Sequence, residues 1–91
     1  MPPTSPEPPN QEPVARFGYA CSGLKCDFDA SASFDPDGSI VGHSWGFGDS
    51  EGGSGKTTSH KFKSAGTHTV VLTVTDDRGA SDTESRNVKV P

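Results

Sequence analysis

Apolar and polar residues alternate in short runs along most of this chain, and glycine, proline and aspartate interrupt them every few residues. In residues 14–21 Phe17, Tyr19 and Cys21 fall on one face. In residues 24–30 Leu24, Cys26, Phe28 and Ala30 alternate with Lys25, Asp27 and Asp29. Asp35-Pro36-Asp37-Gly38 is a strong turn, after which Val41, His43, Trp45 and Phe47 share a face. Residues 48–55 read as a glycine-rich loop, followed by a short strand at residues 59–63 that offers His60 and Phe62. The clearest alternation covers residues 67–75, with Val70, Leu72 and Val74 set against Thr69, Thr73 and Thr75. Asp76-Asp77-Arg78-Gly79 then turns the chain into a last strand ending on Val88 and Val90. The period is two throughout and never 3.6, which predicts about seven short strands and no helix. Strands at this spacing assemble as an antiparallel β-sandwich, all-β, with two sheets packed face to face.

The first thirteen residues, MPPTSPEPPNQEP, stand outside this pattern. Pro2, Pro3, Pro6, Pro8, Pro9 and Pro13 exclude helix and central strand. They predict an extended interdomain linker over residues 1–13, rising about 3 Å per residue, ahead of a domain over residues 14–91. A spacer implies a neighbour, so the chain is expected to be one module of a larger protein whose export signal lies elsewhere. With 91 residues there is room for one small domain, and 29% hydrophobic content leaves its core modest. A net charge of −4 gathers no basic face for phosphates, so nucleic acid is not an expected partner. No apolar run approaches the roughly 18 residues that span a bilayer, so neither is a membrane. The module is expected to be a monomer.

Cys21 and Cys26 bracket Ser22-Gly23-Leu24-Lys25. Two readings compete: a pair of free thiols, or a disulfide across a β-hairpin that turns at Gly23, and the alternating flanks favour the disulfide. In so short a loop it would contribute about 2 kcal/mol, and it implies an oxidising, extracellular compartment.

Several patterns that suggest chemistry lack the context it needs. Gly42-His43-Ser44-Trp45-Gly46 matches a nucleophile-elbow string, but no helix pattern follows and the chain is too short for a hydrolase fold. Gly53-Ser54-Gly55-Lys56-Thr57 resembles the end of a phosphate-binding loop, except that Ser50 stands where the first glycine belongs. His43, His60 and His68 fall on different strands and supply too few ligands for zinc. Asp35, Asp37 and Asp49, with Asp27, Asp29 or Ser33 in reserve, could offer hard oxygen ligands to calcium, although turn aspartates that bond their own backbone are the favoured reading. Trp45, the sole tryptophan, is a core residue between the sheets or a stacking platform for a substrate, and the two roles are compatible.

Three ordered segments carry a family resemblance. They are Ser33-Phe34-Asp35-Pro36-Asp37-Gly38-Ser39-Ile40, then Trp45-Gly46-Phe47-Gly48-Asp49, then the strand from Gly66 through Val70, Leu72 and Val74 to Asp76. Together they resemble the polycystic kidney disease (PKD) domain, and the Cys21–Cys26 hairpin resembles the form attached to secreted bacterial proteases. Gly46 and Ser50 depart from the family's W-D-F-G-D-G string, and the first departure removes a carboxylate from the region where some relatives hold calcium. The resemblance implies an immunoglobulin-like sandwich. It also implies a non-catalytic accessory role beside a secreted hydrolase, expected here to be a serine protease, with the catalytic domain of the parent chain as one partner. The other partner would be an insoluble polymer, collagen first and chitin as the alternative. The rival expectation is a spacer or adhesion repeat that binds no substrate.

Overall fold

The computed structural model describes residues 11–90, so the linker expectation for residues 1–10 lies outside the described residues. Seven strands follow one another without a helix: β1 Gly18–Ser22, β2 Lys25–Asp29, β3 Ile40–Gly46, β4 Gly52–Ser54, β5 Thr57–Lys61, β6 Gly66–Asp76 and β7 Ser81–Val90. They form two antiparallel sheets, ordered β1-β2-β5 and β4-β3-β6-β7. The chain is an immunoglobulin-like β-sandwich.

Alternation determines what lies between the sheets. Cys26 and Phe28 of β2 face Trp45 and Phe47 across the gap, and Val70, Leu72, Val74, Val88 and Val90 belong to the same buried cluster. Phe28 is the hub, with ring centroids 5.6 Å from Trp45, 5.4 Å from Phe47 and 6.3 Å from Phe17. Edge-on and tilted packing of this kind adds to the area term, and losing a buried phenylalanine costs about 3–5 kcal/mol. The β1–β2 hairpin turns through Gly23 and Leu24, with Gly23 at φ 62°. Cys21 and Cys26 are therefore directly opposite, with Cα atoms 3.9 Å apart, and form the disulfide.

Three details differ from the pattern read along the sequence. Ile40 pairs with Asp76 and Gly42 with Thr75, which leaves Val41 as a β-bulge. The extra residue reverses the pleat, so Ile40 packs on the core while Val41 is 66% exposed. Part of the expected glycine loop is the edge strand β4, because a Cβ at Gly52 would stand 2.7 Å from the Trp45 carbonyl and glycine alone allows the approach. Tyr19 is an edge residue under Arg86 rather than core.

The packed chain begins ahead of β1. Pro13 is buried, and the Gln11 N–H reaches the Asp37 carboxylate at 2.8 Å. Val14 exchanges both backbone bonds with Phe34. On the other side Ala15 and Phe17 donate their N–H groups to the Asp82 and Glu84 carboxylates, at 2.8 and 2.9 Å. The inward-pointing acids of β7 thus hold the entry segment and blunt an edge strand that would otherwise invite pairing.

Candidate functional site

The carboxylates converge, but not in the combination read from the sequence. Asp35 meets Asp76 and Asp77, each offering an oxygen within 4.8 Å of the others. The loop over residues 35–39 and the β6–β7 turn are brought together by the bond from the Asp77 N–H to the Ser39 carbonyl, 3.0 Å. Asp76 is buried, and its Oδ1 accepts the N–H groups of Arg78 and Ala80, at 2.9 and 2.8 Å, which closes the turn. Asp37 is outside this group and accepts the Gln11 N–H, and Asp49 lies with His60. Of Asp35, Asp37 and Asp49, the candidate ligands read from the sequence, Asp35 alone belongs to such a group among the described residues.

The trio fits a hard cation on its own chemistry. Asp35 Oδ2 is buried and has no hydrogen-bond partner. That burial holds the Asp35 carboxyl above the ordinary range, and the neighbouring Asp37 and Asp76 charges add to it, against the lowering effect of the Asp37 N–H. Asp35, Asp76 and Asp77 could hold a calcium ion, which would neutralise the cluster and tie the two turns.

A second cluster lies at the other end of β3. His60 Nε2 is 2.7 Å from Asp49 Oδ2, and its ring stacks on Phe47 with centroids 4.2 Å apart. Phe62 continues the column to His68, 4.3 Å away. Partial burial would raise the Asp49 carboxyl, but the bonds from His60 and the Glu51 N–H outweigh it and leave it below the usual range. The column resembles half of a catalytic triad, yet among the described residues no serine, threonine or cysteine side chain is hydrogen-bonded to His60. Ser44 is exposed on β3 opposite Thr73 and Ser54, and pleating turns it away from its neighbours His43 and Trp45.

Trp45 is core. It is 3% exposed, its indole N–H donates to the Gly55 carbonyl at 2.8 Å, and Phe17 and Phe28 cover it. Of the two roles read from the sequence the geometry fits the core one, since Trp45 offers no free face to a stacking partner. Among the described residues the most exposed aromatic is Phe34, at 49% against 38% for Tyr19, in a cleft of about 360 Å³ that also includes Ile40, His43 and Lys56. Reading the sequence missed it because Phe34 precedes a turn and belongs to no alternating run. A second, shallower groove of about 620 Å³ runs over Tyr19, Asp27, Asp29 and Ser59.

The PKD domain profile matches residues 8–90. Over 81 residues the chain is 40% identical to the pre-pro-metalloprotease PrtV of Vibrio cholerae, covering 89% of this chain and 9% of that protein. Over 84 residues it is 42% identical to the collagenase ColA of Clostridium perfringens, covering 89% of this chain and 8% of that protein. Among solved structures, the PKD1 domain of Vibrio anguillarum Epp superposes with a TM-score of 0.86 at 40% identity, covering 90% of this chain and 96% of that one. A structure described as showing the promiscuous specificity of carbohydrate-binding modules from the β-sandwich superfamily gives 0.84 at 38% identity, covering 91% of this chain and 36% of that one. A profile matched along nearly the whole chain, on a sandwich of the same architecture, settles the family: this chain belongs to the PKD domains.

Proposed function

We infer that this PKD domain is a non-catalytic accessory module of a secreted bacterial protease, and that it adsorbs to insoluble polymeric substrate, collagen in the first place. The observation that carries the reading is the match to domain-sized segments, 8–9% in length, of proteins named metalloprotease and collagenase. Those names favour a metalloprotease parent in place of the serine protease expected from the sequence. The site chemistry is compatible with a binding role, since among the described residues no hydroxyl or thiol side chain is hydrogen-bonded to His60 of the His60–Asp49 pair. The mechanism is proximity: a weak module tethered to a catalytic domain raises that domain's effective concentration at the polymer surface. A calcium ion at Asp35, Asp76 and Asp77 would be structural in this scheme. Fusing the chain to a protease domain tests the reading, because the rate on insoluble collagen should rise while the rate on a soluble peptide stays unchanged. Equal rates on both with and without the module would contradict it. The likeness to carbohydrate-binding modules favours one alternative, a polysaccharide such as chitin as the adsorbent.

A further inference from the structure

Phe34 is the aromatic side chain that the fold holds in place and leaves uncovered. Its N–H and C=O both pair with Val14, at 3.1 and 2.7 Å, so the backbone at its root is fixed. Phe34 is nonetheless 49% exposed and forgoes part of the stabilisation that full burial would return. The other phenylalanines, Trp45 and Tyr19 have ring or cation partners among the described residues, and Phe34 has none.

The surroundings of Phe34 have a definite polarity. Ile40, turned inward by the bulge at Val41, extends the apolar wall. His43 and Lys56 supply donors. Lys56 is positioned by its own carbonyl, which accepts the Ala30 N–H at 2.8 Å, and its ammonium is in no ion pair among the described residues. Burial and then the Lys56 charge hold the His43 imidazole below its ordinary range, so near neutral pH the ring is uncharged and keeps one N–H to donate. Asp35, the acid in the cleft, lies against Asp76 and Asp77. An open ring beside an aliphatic wall and two donors suits a chain that presents apolar rings and carbonyls and few N–H groups. A polyproline II chain is such a ligand: its pyrrolidine rings lack the N–H, its carbonyls are solvated, and aromatic-lined grooves recognise it. The groove over Tyr19 is apolar in part, through Ala20 and Phe28, but its charged lining groups are the carboxylates of Asp27 and Asp29, which accept and cannot donate to a carbonyl, and Arg86 lies over the tyrosine ring at 5.6 Å.

We propose that the Phe34 cleft is a subsite for a proline-rich chain in the polyproline II conformation, such as one strand of collagen. A pyrrolidine ring seats on Phe34 against Ile40, and a chain carbonyl accepts from Lys56 or His43. The proposal rests on the collagen reading above and names the contact that reading lacks.

The test uses this chain, disulfide intact, against insoluble collagen and a triple-helical Gly-Pro-hydroxyproline repeat peptide, with circular dichroism and a melting curve for every variant. Phe34→Ala should weaken both interactions about tenfold or more, and Lys56→Ala several-fold. Tyr19→Ala and Asp27→Ala should bind as the parent does. Titration of the isotopically labelled chain with the peptide should shift amides near Phe34, Ile40, His43 and Lys56, a readout that does not depend on any variant folding. Folded Phe34→Ala with parental affinity, or shifts centred on Tyr19 and Ser59, would overturn the subsite while leaving collagen adsorption standing. Adsorption to chitin that Phe34→Ala abolishes, with no binding to the repeat peptide, would overturn the proline-rich ligand. If the unsubstituted chain binds neither collagen nor peptide, the collagen reading fails and the subsite fails with it.

Discussion

Truncating Trp45 to alanine should unfold much of the domain's stability rather than remove a surface contact. The side chain is 3% exposed, its ring centroid lies 5.1 Å from that of Phe17 and 5.6 Å from that of Phe28, and its N–H satisfies the Gly55 carbonyl at 2.8 Å. Removing a buried tryptophan costs about 3–5 kcal/mol in lost transfer energy and residual cavity. For a domain of this size each kcal/mol moves the melting temperature by about 4–8 °C, so Trp45→Ala should melt on the order of 15 °C or more below the parent. Trp45→Phe keeps most of the ring volume and loses the hydrogen bond, worth about 1 kcal/mol, and should lie between the two. Thermal unfolding followed by circular dichroism measures both, and the tryptophan fluorescence of the parent should resist acrylamide quenching until the domain melts. A Trp45→Ala variant that melts within a few degrees of the parent while losing collagen adsorption would refute this reasoning and restore Trp45 as a contact residue.

Reducing the Cys21–Cys26 disulfide should lower the melting temperature by about 10 °C, since so short a loop contributes about 2 kcal/mol, and the far-ultraviolet dichroism should survive below the new transition. A melting curve insensitive to reductant would contradict the entropic estimate. The Asp49 carboxyl is held below its usual range in the folded chain, so it stabilises above the ordinary aspartate pKa and that contribution fades as pH falls through the folded value. The parent should therefore lose stability between about pH 5 and pH 3 more steeply than Asp49→Asn, and parallel curves would count against the His60 pair. Asp35 has the opposite sign: its carboxyl is raised, so the stability it contributes at low pH is lost as pH rises through the folded value. In calcium-free buffer near neutrality Asp35→Asn should melt higher than the parent, and added calcium should raise the parent but not the variant. An equal calcium response in both would remove Asp35 from the site.

The architecture was legible because period two persists through β2, β3, β6 and β7, and each inward residue named in those runs apart from Leu24, Val41 and His43 is buried. Val41 escaped because a single bulged residue reverses the pleat while leaving the local composition unchanged. Gly52–Ser54 escaped because glycine has a low strand propensity, and its pairing here depends on a close approach to the Trp45 carbonyl that the local pattern does not carry. The acidic trio was half visible. Asp35 announced itself in Asp35-Pro36-Asp37-Gly38, whereas Asp76 and Asp77 read as an ordinary turn about forty residues away, and only the register of β3 on β6 brings the turns together. Phe34 carried no periodic signal, since its side chain is positioned by a bridge to Val14 outside the seven strands.

Adsorption of the intact, oxidised chain tests the central claim most directly. Purified protein is mixed over a range of concentrations with insoluble collagen, and in parallel with chitin, and both the bound protein and any soluble peptide released are measured. The predicted result is a saturable isotherm on collagen, with an affinity in the micromolar range or weaker as befits one small module, and no release of peptide. Folded protein left entirely in solution by both polymers would contradict the account and leave a spacer in its place.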